Sequence, residues 1–182
     1  MTSKLLDALD FASIAHEGQK RRDNITPYIA HSFGVGLILL EHGYSEEVVI
    51  AGILHDVAED TKFSLTDIKE KFGERVAKIV SGVTEDKSIS PKEEMLKAYL
   101  QNLKNSDDDT KAVCAADMLH NRLSLMKELE RKYDIWGALH VNKEKYLEIS
   151  YKKLAVIKET LNDGLVQELE KSLEEVSRYP SA

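Results

Sequence analysis

At 182 residues the chain can bury the core of one domain. Its 42 % hydrophobic and 31 % charged residues are the balance of a globular protein in water, and 9 Gly with 3 Pro leave little room for the turns of a β-protein. A net charge of −7 argues against a broad nucleic-acid-binding face, but an anionic small molecule could still be held by a local basic cluster or by metal.

In chain order, Ser3 offers a cap for a first helix with Leu5, Leu6, Leu9, Ala12 and Ala15 on one face, ended by Gly18. The loop 19–28 is basic at its start, through Lys20, Arg21 and Arg22, and turn-like at its end. A second helix is predicted over 31–41, stopped by Gly43. Ser45 caps the third, with Glu46 and Glu47 in the first turn, where the helix dipole favours acids. That helix runs through the apolar stretch 48–54 into His55-Asp56-Val57-Ala58-Glu59-Asp60. Ser64-Leu65-Thr66-Asp67 resembles a capping box for a short fourth helix, ended by Gly73. A fifth over 74–84 buries Val76, Ala77, Ile79, Val80 and Val83.

Ser90-Pro91-Lys92-Glu93 reads as the start of a sixth helix, with Ser90 as cap and Pro91 at the first helical position, running to about Leu103. The acidic run 105–109 reads as a solvated connection and helix start rather than a metal site. The seventh helix, 110–129, is mostly apolar up to Leu119. A loop over 133–140 holds the only Trp, Trp136, and helices over 142–161 and 163–176 follow. The β-branched runs all fall inside helical periodicities, so the fold class is all-α with eight or nine helices. Residues 1–162 are expected to form the domain, and 163–182 a helix packing on it or on a partner subunit.

Packing gives no reason for the third helix to end as it does. Six residues carry four groups able to bind metal or move protons, and buried charge is costly unless paired or metal-bound. Successive helical residues are rotated by about 100°. His55 and Asp56 therefore diverge, yet both can reach one ion at the edge between them. Glu59 lies four after His55 and Asp60 four after Asp56, so each pair shares a face. One edge can hold a cation while the next turn sets a carboxylate beside an attacking water.

Two ligands from one helix hold a metal weakly, so partners should come from elsewhere. His31 opens the second helix, and Asp117 interrupts the apolar stretch 112–119. With His55 and Asp56 they would form a mixed nitrogen and oxygen set suited to Mn²⁺ or Fe²⁺. Each residue also has a plainer reading, as a capping or surface histidine or as an aspartate paired with Arg or Lys. Spacing alone leaves both readings open.

His31…His55-Asp56…Asp117 resembles the pattern of the HD superfamily of metal-dependent phosphohydrolases. Ala15-His16-x-Gly18-Gln19, Thr26-Pro27-Tyr28-Ile29-x-His31, Ala51-x-x-Leu54-His55-Asp56-x-x-Glu59-Asp60-Thr61 and Ala116-Asp117-x-Leu119-His120-Asn121 look like the hydrolase domain of Rel/SpoT-type proteins, as do Phe72-Gly73-x-x-Val76 and Val83-Thr84. Val83-Thr84-x-Asp86-Lys87 is similar to a segment of the small stand-alone alarmone hydrolases. The resemblance spans about residues 5–160.

It implies an HD-domain helical fold with Mn²⁺, or another divalent ion, on His31, His55, Asp56 and Asp117. It implies hydrolysis of guanosine 3′-pyrophosphate alarmones, ppGpp and pppGpp, to GDP or GTP and pyrophosphate, with Glu59 and Asp60 as the catalytic pair. For substrate it points to the basic pair Arg21 and Arg22, and to Asn121, which lies four after Asp117 and so faces the same side. Ser124 stands where the family usually has Thr; Tyr146 matches a nucleotide-side tyrosine, with either Lys143 as the nearby cation or Asn142 in that place. The loop departs from the family, having Asn24-Ile25-Thr26 where a Gly usually precedes Pro-Tyr-Ile, and being one residue longer. Without the synthetase domain of the long relatives, the implied activity is degradation alone.

The other notable residues have quieter readings. His16 shapes its loop, His42 and His140 are surface residues, and Tyr99, Tyr133 and Tyr151 pack. His120 orients a ligand, and Arg122 balances nearby acids. Cys114, the only cysteine, is a packed thiol that excludes an intramolecular disulfide and fits a reducing compartment. No signal-peptide core or membrane-length apolar run is present. The expected location is the cytoplasm, with a small nucleotide as partner, no nucleic acid, no membrane, and a homo-oligomer left open. Two other functions also fit: cleavage of another nucleotide phosphate, such as a 5′-mononucleotide or the 2′-phosphate of NADPH, and nucleotide binding without cleavage. The intact ligand set and acidic pair argue against the last.

Overall fold

The computed structural model describes residues 2–130, 136 and 141–179. They form helices α1 (Ser3–Ala15), α2 (Ile29–Glu41), α3 (Glu46–Leu54), α4 (Val57–Asp60) and α5 (Leu65–Phe72), then α6 (Glu74–Val83), α7 (Lys92–Asn105), α8 (Asp108–Glu130), α9 (Lys143–Lys158) and α10 (Gly164–Arg178). Among the described residues the only β-pairing is an isolated bridge between Lys20 and Pro27. The all-α expectation holds. Of the predicted loop over 133–140, only Trp136 is described, so Tyr133 and His140 lie outside the described residues.

Local signals explain most helix ends. The Ser64 hydroxyl accepts from the Asp67 amide while the Asp67 carboxylate accepts from Ser64, a complete capping box. Asn142 and Asp163 cap α9 and α10 by accepting from the amides of Lys145 and Val166. Several starts differ from expectation: α2 begins at Ile29 rather than His31, and Ser45 stands at the N-cap of α3 without a side-chain cap bond. Thr2 caps α1, accepting from Leu5, and Ser3 is already helical. Pro91 occupies the N-cap of α7 itself, with its carbonyl accepting from Glu94 and Met95, so Ser90 stands outside the helix. The acidic run is a helix start: Asp107 accepts from the Thr110 amide, and α8 begins at Asp108.

Helix α3 runs through the core, and every residue from Val48 to Leu54 is buried. It packs on α1, α2, α6 and α8. The α2–α3 crossing is close because glycine lies on both sides. A Cβ on Gly36 would come within 2.5 Å of Ile53 Cγ1, and one on Gly52 within 2.4 Å of Leu39 Cδ1. That approach sets the start of α2 beside the end of α3. Helix α8 packs on α2, α3 and α6. Helix α10 buries Leu165, Val166, Leu169, Leu173 and Val176 against α8 and α9, so its apolar stripe is covered within the chain. His42 is drawn into this packing, with Nε2 3.2 Å from Glu168 of α10. No described helix is long and apolar enough to cross a membrane.

Candidate metal centre and its cavity

The predicted third helix does not continue through the His-Asp pair. The His55 ring donates from Nδ1 to the Gly52 carbonyl at 2.8 Å. In an unbroken helix that carbonyl would accept the Asp56 amide. The helix stops at Leu54 and resumes as α4, where the Asp60 amide reaches the Asp56 carbonyl at 2.9 Å. The break brings together two side chains that a regular helix would splay. His55 Nε2 lies 2.8 Å from Asp56 Oδ2.

His31 and Asp117 close the group. His31 Nε2 is 3.3 Å from His55 Nε2, 3.5 Å from Asp56 Oδ2 and 3.2 Å from Asp117 Oδ1. One ligand atom each from His31, His55 and Asp117 lies within 4.8 Å of the others. Both histidines use Nδ1 elsewhere, His55 on Gly52 and His31 on His120 Nδ1 at 2.8 Å, so both present Nε2 to the centre. Two imidazoles oriented through their far nitrogens, together with two carboxylates, form a donor set that fits a divalent cation.

The electrostatics agree. Burial pushes Asp56 and Asp117 upward, but the two histidines outweigh it and hold both carboxyls below their usual range, Asp56 well below. Burial lowers His55, yet Asp56 wins and raises it to about 9. Tyr28 donates its hydroxyl to Asp56 Oδ2 at 2.6 Å, and burial plus that carboxylate push the phenol far up.

These residues line a cavity of about 220 Å³ that also meets Arg21, Glu59, Asn121 and Lys153. Glu59 enters from α4. Its Oε2 accepts the Glu85 amide at 2.9 Å, and Lys87 Nζ lies 3.3 Å from Oε1. Burial raises its pKa. Asp60 is not among the lining residues; its Oδ1 pairs with Lys87 at 2.6 Å, and its carbonyl accepts Gln19 Nε2. His16 holds that same Gln19, which fits its reading as a loop-shaping residue.

The basic pair divides. Arg21 donates to Asn121 Oδ1 at 2.8 Å, and Asn121 in turn donates to Asp117 Oδ1 at 2.6 Å. Arg22 turns away to Glu128 at 2.7 Å. Ser124 lines a neighbouring hollow of about 300 Å³ with Arg21, His120 and Lys127. Tyr146 lines another of about 170 Å³, beside Asp117 and Asn121. Lys143 is not brought to any of these: it donates to the carbonyls of Ser177 and Tyr179, at the end of α10 where helix carbonyls lack partners. Cys114 is buried with its sulfur 3.3 Å from the Tyr99 hydroxyl, a packed thiol that burial pushes up.

Sequence reasoning missed Tyr28 and Lys153. Tyr28 stands three before His31, and Lys153 is seven after Tyr146, so helical periodicity marks both. Lys153 Nζ sits 4.2 Å over the Tyr99 ring and 3.5 Å from Glu85 Oε1.

A family model described as the HD domain matches residues 8–132. The chain belongs to the HD-domain family. Among its relatives, the Danio rerio protein named guanosine-3′,5′-bis(diphosphate) 3′-pyrophosphohydrolase is 39 % identical over 123 residues, covering 66 % of this chain and 68 % of that protein. The Aquifex aeolicus protein of the same enzyme name is 40 % identical over 122 residues, covering 67 % of this chain and only 17 % of that much longer protein. The HD fold is shared with the solved structure of a metazoan SpoT orthologue described as hydrolysing ppGpp. That match has a TM-score of 0.80 and 27 % identity, and covers 96 % of each chain.

Proposed function

We propose that this HD domain is a divalent-metal-dependent hydrolase that cleaves the 3′-diphosphate from guanosine alarmones such as ppGpp, giving GDP or GTP and pyrophosphate. The observation that carries this reading is the meeting of His31, His55, Asp56 and Asp117 in one cavity, with Glu59 on one wall and Arg21–Asn121 on another. The names of its relatives supply the substrate class.

His31, His55, Asp56 and Asp117 would hold the ion; the donor set suits Mn²⁺ or Fe²⁺, and the family resemblance favours Mn²⁺. When bound, a divalent cation supplies Lewis-acid polarisation and lowers the pKa of water. Glu59 suits the role of proton acceptor: burial raises its carboxyl, and the Glu85 amide and Lys87 fix its orientation. The attacking water gives its proton to Glu59 as its oxygen joins phosphorus, and the bond from phosphorus to the ribose 3′-oxygen breaks. The departing 3′-oxygen takes up a proton, from Glu59 or from solvent, to become the hydroxyl of GDP or GTP. Asn121 fixes Asp117 and holds Arg21, whose fork suits a phosphate. Lys153 adds a second cation to the cavity lining. Asp60 would act through Lys87 rather than on the water. A single buried cysteine suits the reducing cytoplasm.

Purified protein with Mn²⁺ should release GDP from ppGpp. No turnover at micromolar enzyme with metal demonstrably bound refutes the reading. The turn of Arg22 toward Glu128 leaves one arginine of the basic pair at the cavity, which keeps other nucleotide phosphates in play. A panel including 5′-mononucleotides and NADPH ranks them, and equal rates on all would argue against a guanosine-specific pocket.

A further inference from the structure

Past Asp117 and Asn121 the metal cavity adjoins the hollow of about 170 Å³ between α8 and α9, whose walls include Arg122, Tyr146, Ser150 and Lys153. Arg122 is only 4 % exposed, and its Nε and Nη1 are buried without a hydrogen-bond partner. Burial pulls it down to about 9, which leaves it charged at neutral pH. Its guanidinium lies 4.0 Å over the Tyr146 ring. That contact covers one face of the guanidinium but accepts none of its N–H groups. A buried cation with unmet donors is costly, and an anion in the hollow would meet them.

Among the described residues Arg122 forms no ion pair, and the acid whose charge favours its guanidinium is Asp117. The one carboxylate on the wall among the described residues is Asp117, already engaged by His31 and Asn121. Lys153 borders both cavities and brings a second positive charge. The Tyr146 ring is covered by Arg122, so that face is closed to a stacked base. The chemistry is that of a phosphate pocket one residue layer from the metal centre.

We propose that this hollow is a subsite for the 5′-phosphates of the nucleotide, gripped by Arg122 and Lys153 while the 3′-diphosphate lies at the metal centre. The idea rests on the nucleotide-hydrolase reading above but is tested without hydrolysis. GDP keeps the 5′-diphosphate and lacks the 3′ group, so its equilibrium binding to the full chain, against guanosine as control, reads the hollow directly. Arg122→Met keeps the apolar stem and should weaken GDP about 30-fold, with a much smaller change for guanosine. Lys153→Met should act in the same direction, and it serves as the deciding variant if Arg122→Met fails to melt near the wild-type temperature. Equal GDP affinity in wild type and in the folded variant, or equal loss for GDP and guanosine, overturns the proposal. So does wild-type protein that binds GDP no better than guanosine. Absence of ppGpp turnover with GDP binding intact strikes only the proposed reaction.

Discussion

His120 Nδ1 sits 2.8 Å from His31 Nδ1, so a ring on α8 decides which nitrogen of an α2 histidine faces the metal centre. For His31 Nε2 to offer a lone pair, Nδ1 must carry the proton and His120 must accept it. Burial first, then the neighbouring His31, pull His120 down to about 4, which keeps it a neutral acceptor. His120→Ala should weaken metal binding about 10- to 100-fold while the helical content stays. A metal titration followed by calorimetry checks this, and unchanged affinity would show that His31 needs no such partner.

Gly34 leaves room for that ring. A Cβ there would lie 2.2 Å from His120 Cδ2. Gly34→Ala must displace the imidazole, at a cost of about 1–3 kcal/mol. The variant should melt several degrees lower and share the weakened metal binding of His120→Ala. Melting curves with and without added Mn²⁺ separate the two effects.

The fold was legible in the sequence because helix periodicity and capping are local. Ser64 with Asp67, Asn142 and Asp163 announce their helices from within four residues. Polar residues inside apolar runs likewise marked His55, Asp56 and Asp117. Less legible was what depends on distant partners. Arg21 and Arg22 are adjacent, yet one meets Asn121 and the other Glu128, about a hundred positions away. Lys143 was expected near the nucleotide, but the carbonyls ending α10 claim it. The break after Leu54 turns on one ring donating to Gly52, which composition does not reveal.

Removing a candidate ligand and removing the candidate base should differ. Asp117→Ala is expected to lose most of the bound metal and all turnover. Glu59→Gln should keep metal and lose about 10²- to 10⁴-fold in kcat. Elemental analysis alongside ppGpp hydrolysis distinguishes them, and full activity in Glu59→Gln would remove Glu59 from its assigned role.

The loop carrying Arg21 is pinned by Asp23. Its carboxylate accepts from the Thr26 hydroxyl at 2.6 Å and from the amides of Ile25 and Thr26. The hydroxyl first, then the amides, pull it from 3.8 to about 2. A folded value below the unfolded one means this hold is full above the unfolded value and fades as pH falls toward 2. Amide shifts of Ile25 and Thr26 should therefore titrate with a midpoint near 2, and Asp23→Asn should abolish that titration. A midpoint close to 4 would mean the turn does not grip the carboxylate.

Leu169 and Leu173 of α10 are wholly buried against the rest of the core. Truncating either to Ala should cost about 2–5 kcal/mol. Urea unfolding followed by circular dichroism gives the value. A loss below about 0.5 kcal/mol would mean that α10 is not part of the cooperative unit.

Because α10 lies over α8, the helix bearing Asp117 stays partly uncovered until residues far downstream have been made. On the ribosome, His31, His55 and Asp117 all emerge before the leucines that shield their scaffold. Nascent chains should thus pass through a stage with the ligand residues present and Leu125 and Leu129 still wet, a surface suited to chaperone capture until Val176 closes it.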